Sequence, residues 1–180
     1  MKILIVNGSH RAGNTDLIVK SVQNCLKAKN IESRELRLRD IDIKLPDGCE
    51  HCAESEICPN IIDEFSQSIE PTIRDYDIYL IVTPVWSDFI TPLTKIFIDR
   101  LVSWCHPDRM YLKDKKLAII SHGMADPKSW EIVRMWVNSI CSWEKSVYSG
   151  NLTLQTSSKV GEIQVDETKI DEFILQLTQI

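Results

Sequence analysis

The chain has only six glycines in 180 residues, and none is arranged as G-x-G-x-x-G. It also lacks the G-K-[ST] ending of a nucleoside-triphosphate loop. The first absence argues against a dinucleotide held in the Rossmann manner. So does the second predicted strand, which ends in bases (Glu35-Leu36-Arg37-Leu38-Arg39) rather than in an acidic residue. There is no basic excess: the formal net charge is −5, which argues against a nucleic-acid partner. No apolar run is long enough to span a bilayer, and Met1-Lys2-Ile3 opens directly into a predicted strand, so no signal peptide and no membrane partner are expected. The expected location is the cytoplasm, where the six cysteines are reduced thiols or metal ligands rather than disulfides.

What the sequence does contain is concentrated at its start. Ile3-Leu4-Ile5-Val6 runs into Asn7-Gly8-Ser9-His10-Arg11-Ala12-Gly13-Asn14-Thr15, and Leu17, Ile18, Val22, Cys25 and Leu26 follow at helical spacing. Strand, polar turn and helix together aim free backbone N–H groups and a helix dipole at one point. Ser9 and Thr15 add hydroxyls, Asn14 an amide, and Arg11 a guanidinium fork suited to phosphate oxygens. The loop is read as an anion site, for a phosphate. The alternative is an ordinary strand-to-helix turn in which Asn14 or Thr15 is simply the N-cap.

Strands and helices alternate along the rest of the chain. Strands are expected at 2–7, 32–38, 78–83 and 117–121, with a fifth from Val147 to Leu154. Helices are expected at 15–29, through Leu93, Ile96, Phe97, Leu101 and Trp104, from about Lys128 to Ser142, and through Ile170, Phe173, Ile174 and Leu177. This pattern predicts a single α/β domain over 1–180, a three-layer sandwich with a five-stranded parallel sheet. The long second connection contains a cysteine-bearing insertion at 40–58. Beyond it Pro59 suits a helix start, and Ile61, Ile62, Phe65 and Ile69 share a face before Pro71 interrupts it. In a sheet of order 2-1-3-4-5, the ends of strands one and three flank the switch point where ligands bind. The anion loop lies at one, and Thr83-Pro84-Val85-Trp86-Ser87-Asp88-Phe89 at the other. A planar ring carrying a phosphate would bridge them, which describes a flavin mononucleotide.

G-S-x-R-x-G-N-T after an N-terminal strand, then T-P-V-W-S-D-F and Leu93-Thr94-Lys95-Ile96-Phe97-Ile98-Asp99-Arg100, resembles the NAD(P)H-dependent FMN reductase family of flavodoxin-like proteins. The resemblance covers residues 3 to about 125 and is nearest the iron–sulfur flavoprotein branch. It implies FMN as cofactor, with NADH or NADPH as electron donor. Ser9, Arg11, Asn14 and Thr15 would bind the phosphate, and Pro84, Val85, Trp86 and Ser87 would line the isoalloxazine. His122 and Gly123 would close its far side. Ser87 and Asp88 are expected to hold the loop, Asp88 by favouring the N-terminus of the next helix. No catalytic acid or base is expected, because the cofactor carries the hydride.

The cysteines depart from that branch, which resembles C-x2-C-x2-C with a fourth cysteine beyond. Here Cys49-Glu50-His51-Cys52-Ala53-Glu54-Ser55-Glu56-Ile57-Cys58 has Ser55 at the third position, so an iron–sulfur cluster is not expected. Cys49, Cys52 and Cys58 with His51 are chemically capable of a zinc site; a metal-free, substrate-facing loop is the reading preferred. Cys25, Cys105 and Cys141 fit helix packing. His10 either touches the phosphate or faces solvent, and His106 falls in a loop without chemistry.

The expected activity is electron transfer from a nicotinamide through FMN to a flavin, quinone, nitro compound or similar small-molecule acceptor. The alternatives are an electron-transfer flavoprotein fed by a partner, with any metal in the insertion as relay, and a non-catalytic binding module. Ile132, Trp136 and Trp143 form a second apolar stripe on the helix after the fourth strand, and Trp104 ends the preceding one. That surplus predicts a homodimer, unless segment 150–180 covers the stripe.

Overall fold

The computed structural model describes residues 1–49, 60–101, 110–156, 159 and 161–179. Its centre is a parallel sheet in which β1 (Lys2–Asn7) lies between β2 (Glu32–Arg37) and β3 (Ile78–Trp86), followed by β5 (Lys116–Gly123) and β6 (Val147–Gln155). The order β2-β1-β3-β5-β6 is the expected 2-1-3-4-5 arrangement of five parallel strands. A sixth strand was not expected. β4 (Phe89–Ile90) turns back on the end of β3, antiparallel, pairing Trp86 with Phe89 and Val85 with Ile90.

The inner strands are apolar on both faces because helices cover both. Ile3 and Ile5, with Ile78, Leu80 and Val82, pack against α1 (Asn14–Ala28) and α5 (Glu167–Thr178). Leu4, Val6, Tyr79 and Ile81 pack on the other side, in a core shared with α3 (Pro92–Leu101) and α4 (Glu131–Glu144). The alternation follows from the two-residue period of a strand. Among the described residues no helix is long and apolar enough to cross a membrane.

Helical backbone continues through Pro71, where the sequence pattern is interrupted. Phe65–Ile69 forms wide π-type turns that pass directly into α2 (Glu70–Ile73), with Pro71 in the first turn of α2. A proline has no N–H to give, and its ring crowds the carbonyl four residues back, so it is tolerated best at a helix start. Ile61, Phe65 and Ile69 are buried as expected, but Ile62 is exposed. Pro59 lies outside the described residues.

Arg100, in the Phe97-Ile98-Asp99-Arg100 motif, serves this side of the fold. Its guanidinium meets the Asp63 carboxylate at 2.5 and 3.3 Å and also donates to the Lys44 carbonyl at 3.1 Å. Asp63 in turn accepts from the N–H groups of Lys44 and Ser66. Burial would raise the Asp63 pKa, but Arg100 and these donors hold it at about 2. The pair ties both flanks of the cysteine-bearing insertion to α3.

Candidate functional site

The first wall of the site is built from the β1–α1 loop. Asn7, buried at the strand end, donates to Asp16 at 2.8 Å and to Glu35 at 3.0 Å, and accepts from the Ser9 N–H. Asp16 accepts from the Gly13 N–H at 2.8 Å and from Arg39 at 2.9 Å. Burial would raise the Asp16 carboxyl, yet Gly13, Arg39 and Asn7 together keep it below the usual range. Gly8 donates to the Val82 carbonyl at 2.9 Å. It must be glycine, since a Cβ there would lie 2.0 Å from Thr94 Oγ1.

This scaffold leaves donors to spare. The backbone N–H groups of His10, Ala12, Asn14 and Thr15 have no hydrogen bond among the described residues. Asn14 and Thr15 are also the first two residues of α1, where orphan N–H groups and the positive dipole end meet. Arg11 is exposed at the rim and pairs with no carboxylate among the described residues. The donor set fits a phosphate group.

The second wall differs from the loop read in the sequence. Pro84, Val85 and Trp86 belong to β3, and Ser87 and Asp88 are the two tip residues of the β3–β4 hairpin. Both tip residues have positive φ, 48° and 62°, as a two-residue turn matched to strand twist requires. Asp88 therefore sits in the turn and does not cap α3. That role belongs to Thr91, whose hydroxyl accepts from the Thr94 N–H at 3.2 Å and donates to the Gly8 carbonyl at 2.6 Å. Thr94 Oγ1 donates to Thr83 Oγ1 at 3.0 Å. This fully buried threonine cluster joins the two walls at their base. At the mouth, Trp86 is half exposed and stacks on His10, with ring centroids 5.1 Å apart and planes 18° from parallel. His10 is exposed, but it has a partner.

The floor comes from the end of β5 and the turn after it. His122 is buried, and its Nε2 lies 2.8 Å from Thr15 Oγ1. Burial pushes its pKa down to about 4, so the ring is neutral near pH 7. A Cβ on Gly123 would lie 3.0 Å from the Trp130 ring, so the strand end passes directly beneath that indole.

Ser9, Arg11, Asn14, Thr15, Pro84, Val85, Trp86, Ser87, Asp88, His122 and Gly123 all line one cleft of about 410 Å³. Their individual states refine the expectation. The Ser9 hydroxyl donates to the Arg11 carbonyl at 2.8 Å. The Asn14 side chain faces the C-terminal segment: its Oδ1 accepts from the N–H groups of Gly161 and Ile163, and its Nδ2 donates to the Lys159 carbonyl. Asn14 therefore offers an anion its N–H rather than its amide.

The sequence reading missed Trp130, Thr156 and Lys159, which also line the cleft. Trp130 falls at helical spacing with Val133 and Val137, which marks an inner face but not a cavity. Thr156 and Lys159 are far from every motif and carried no signal. Of the candidate metal ligands, Cys49 is half-buried with a free thiol, while His51, Cys52 and Cys58 lie outside the described residues, as do Trp104, Cys105 and His106.

The site can be set beside known proteins. An iron–sulfur flavoprotein of Methanocaldococcus jannaschii is 30% identical over 101 residues, which cover 56% of this chain and 51% of the relative. An iron–sulfur flavoprotein of Archaeoglobus fulgidus is 28% identical over 100 residues, 56% of this chain and 48% of the relative. The match thus spans about half the length of these curated relatives. The crystal structure of RosB with bound 8-demethyl-8-formylriboflavin-5′-phosphate superposes with a TM-score of 0.69 at 18% identity, covering 97% of this chain and 76% of RosB. The likeness to RosB establishes a common fold. The family model for NADPH-dependent FMN reductase matches residues 1–152, and the chain belongs to that family of flavin-dependent oxidoreductases.

Proposed function

We propose that this chain binds FMN in the 410 Å³ cleft and passes electrons from NADH or NADPH to a small-molecule acceptor such as a flavin, quinone or nitro compound. One observation carries the reading: the unpaired N–H groups at the start of α1 and the half-exposed Trp86 are opposite walls of a single cleft. Its volume suits a ligand of this size. Arg11 and the N–H groups of Ala12, Asn14 and Thr15 would hold the phosphate. Pro84, Val85 and Trp86 would flank the ring system, and the hairpin would limit the access of water to it. When bound, FMN would supply the hydride and electron chemistry; these residues would position it.

Purified protein is expected to be yellow or to quench FMN fluorescence on mixing, and the bound flavin is expected to bleach anaerobically with NADH or NADPH. Flavin that binds but is not bleached by either nicotinamide would replace the reductase by an electron-transfer protein fed by a partner. Iron with acid-labile sulfide in anaerobic preparations would show a cluster involving the 40–58 insertion.

The proposal extends to a homodimer through α4. Ile132, Met135 and Trp143 are each more than half exposed on that helix, and α5 packs against α1 on the opposite face of the sheet. Segment 150–180 therefore does not cover the stripe among its described residues. Trp136 is half-buried edge-to-face against Phe89, which makes Trp143→Glu the cleaner disruption. Light scattering should give a dimer for the native chain and a monomer for that variant.

A further inference from the structure

The floor of the cleft contains two ring nitrogens without hydrogen-bond partners among the described residues, Nδ1 of His122 and Nε1 of Trp130. Both side chains line the cleft, and they are only 5% and 2% exposed. A buried polar atom left unpaired is costly, and in a native protein it calls for a partner. Trp130 Nε1 can only donate. His122 Nδ1 donates or accepts according to which nitrogen holds the single proton of the neutral ring.

That choice is coupled to Thr15. The Thr15 hydroxyl, 2% exposed, lies 2.8 Å from His122 Nε2, and Thr15 is the second residue of α1. The hydroxyl has one proton. If Thr15 gives it to Nε2, the histidine proton resides on Nδ1. If Thr15 gives it elsewhere, the contact survives only with Nε2–H as donor, and Nδ1 then carries a lone pair. A dianionic phosphoryl group has only acceptor oxygens. At the N-terminus of α1 it would take the Thr15 proton.

We propose that Thr15 and His122 form a phosphate-set relay, in which a phosphoryl group at the α1 N-terminus fixes the Nε2–H tautomer of His122 and makes Nδ1 an acceptor for a hydroxyl or N–H of the same ligand. Trp130 Nε1 supplies the complementary donor. His122 retains one proton throughout and changes only which nitrogen holds it. It is a positioning residue, not an acid or base. The phosphate end of the ligand thereby prepares the pocket for the rest, which selects a phosphorylated flavin over riboflavin. The relay rests on the FMN reading above.

The test is nitrogen NMR of the full chain labelled in its histidines, at about pH 8, where the phosphates are dianionic, in four states: free, with FMN, with riboflavin and with inorganic phosphate. FMN and phosphate are expected to shift His122 to the Nε2–H tautomer, and riboflavin is not. Thr15→Val is expected to abolish the shift and to reduce the preference for FMN over riboflavin by at least tenfold, read by flavin fluorescence. Bound FMN with an unchanged His122 tautomer in the native chain overturns the relay and leaves the FMN reading standing. Binding of neither flavin overturns both. The native-chain spectra decide the matter even where the valine variant does not fold.

Discussion

The two walls of the cleft are held by opposite means. The β1–α1 loop is fixed by a dense set of polar contacts: Asp16 anchors Gly13, Asn7 anchors Ser9, Arg39 reaches over from beyond β2, and Asn14 clasps the C-terminal segment. The hairpin has two non-glycine residues in the left-handed region at its tip and a ring stack at its mouth. On the FMN proposal, a wall that is to present N–H groups in fixed directions needs rigidity, because the phosphate oxygens it would hold are small and charged. A wall that meets a flat ring needs only a surface, and it retains the freedom to admit and release one.

The largest effect is expected where the walls join. Gly8→Ala forces a methyl into the threonine cluster, where Thr94 Oγ1 has no room to retreat without breaking its bond to Thr83. A loss of about 3 kcal/mol in urea-monitored stability is expected, together with loss of FMN binding. Wild-type stability in that variant would mean that the walls are not coupled at their base.

The floor offers a pH test of comparable size. The His122 pKa is lowered to about 4, so the folded protein resists a proton that the unfolded chain accepts near 6.5. Its contribution is fully present above pH 6.5 and is lost as pH falls through 4, on the order of 2–3 kcal/mol. Glu144, buried and pushed up to about 7, has the opposite sign: its contribution is lost as pH rises from about 4.5 to 7. The His122 slope is therefore read as the difference between the native chain and His122→Asn across pH 4–6.5.

Arg11→Ala sharpens the contrast between affinity and stability. FMN binding is expected to weaken by about 1.5–3 kcal/mol, the worth of a charge-assisted phosphate contact. The melting temperature of the free protein should hardly change, because Arg11 pairs with no carboxylate among the described residues. Unchanged FMN affinity would remove Arg11 from the site. The smallest effect belongs to the hairpin tip: Ser87→Gly relieves a positive φ and is expected to stabilise the fold by about 0.5–1 kcal/mol. A destabilised Ser87→Gly would show that the serine hydroxyl, rather than backbone conformation, holds the turn.

The parallel sheet and the strand–turn–helix start of the chain were legible in the sequence because each depends on local chemistry. β-branched runs covered on both faces become inner strands, and a Gly/Ser/Asn/Thr turn before an amphipathic run becomes a helix start. The hairpin was less legible. Trp86-Ser87-Asp88-Phe89 lacks the Asn-Gly or Asp-Gly pair that signals such a turn, so its residues read as an open loop, with Asp88 placed just before the next helix. Trp130 was hidden by its own periodicity, since helical spacing places a residue on the inner face without saying whether a cavity lies there. The threonine cluster escaped because Thr83, Thr91 and Thr94 acquire meaning only when Gly8 arrives from a distant part of the chain.

The Asn14 clasp has a consequence for the order in which the molecule assembles. It joins the first turn of α1 to Lys159, Gly161 and Ile163, a closure across most of the chain's length. Contacts of such separation form late, because the entropy of closing the intervening chain is lost before the contact gives anything back. The β1–α1 loop is therefore expected to take its final shape only after the sheet has formed and the segment at 159–163 has docked. Cofactor uptake then follows folding rather than guiding it, and a nascent chain emerging from the ribosome has its first motif on view well before that motif is complete.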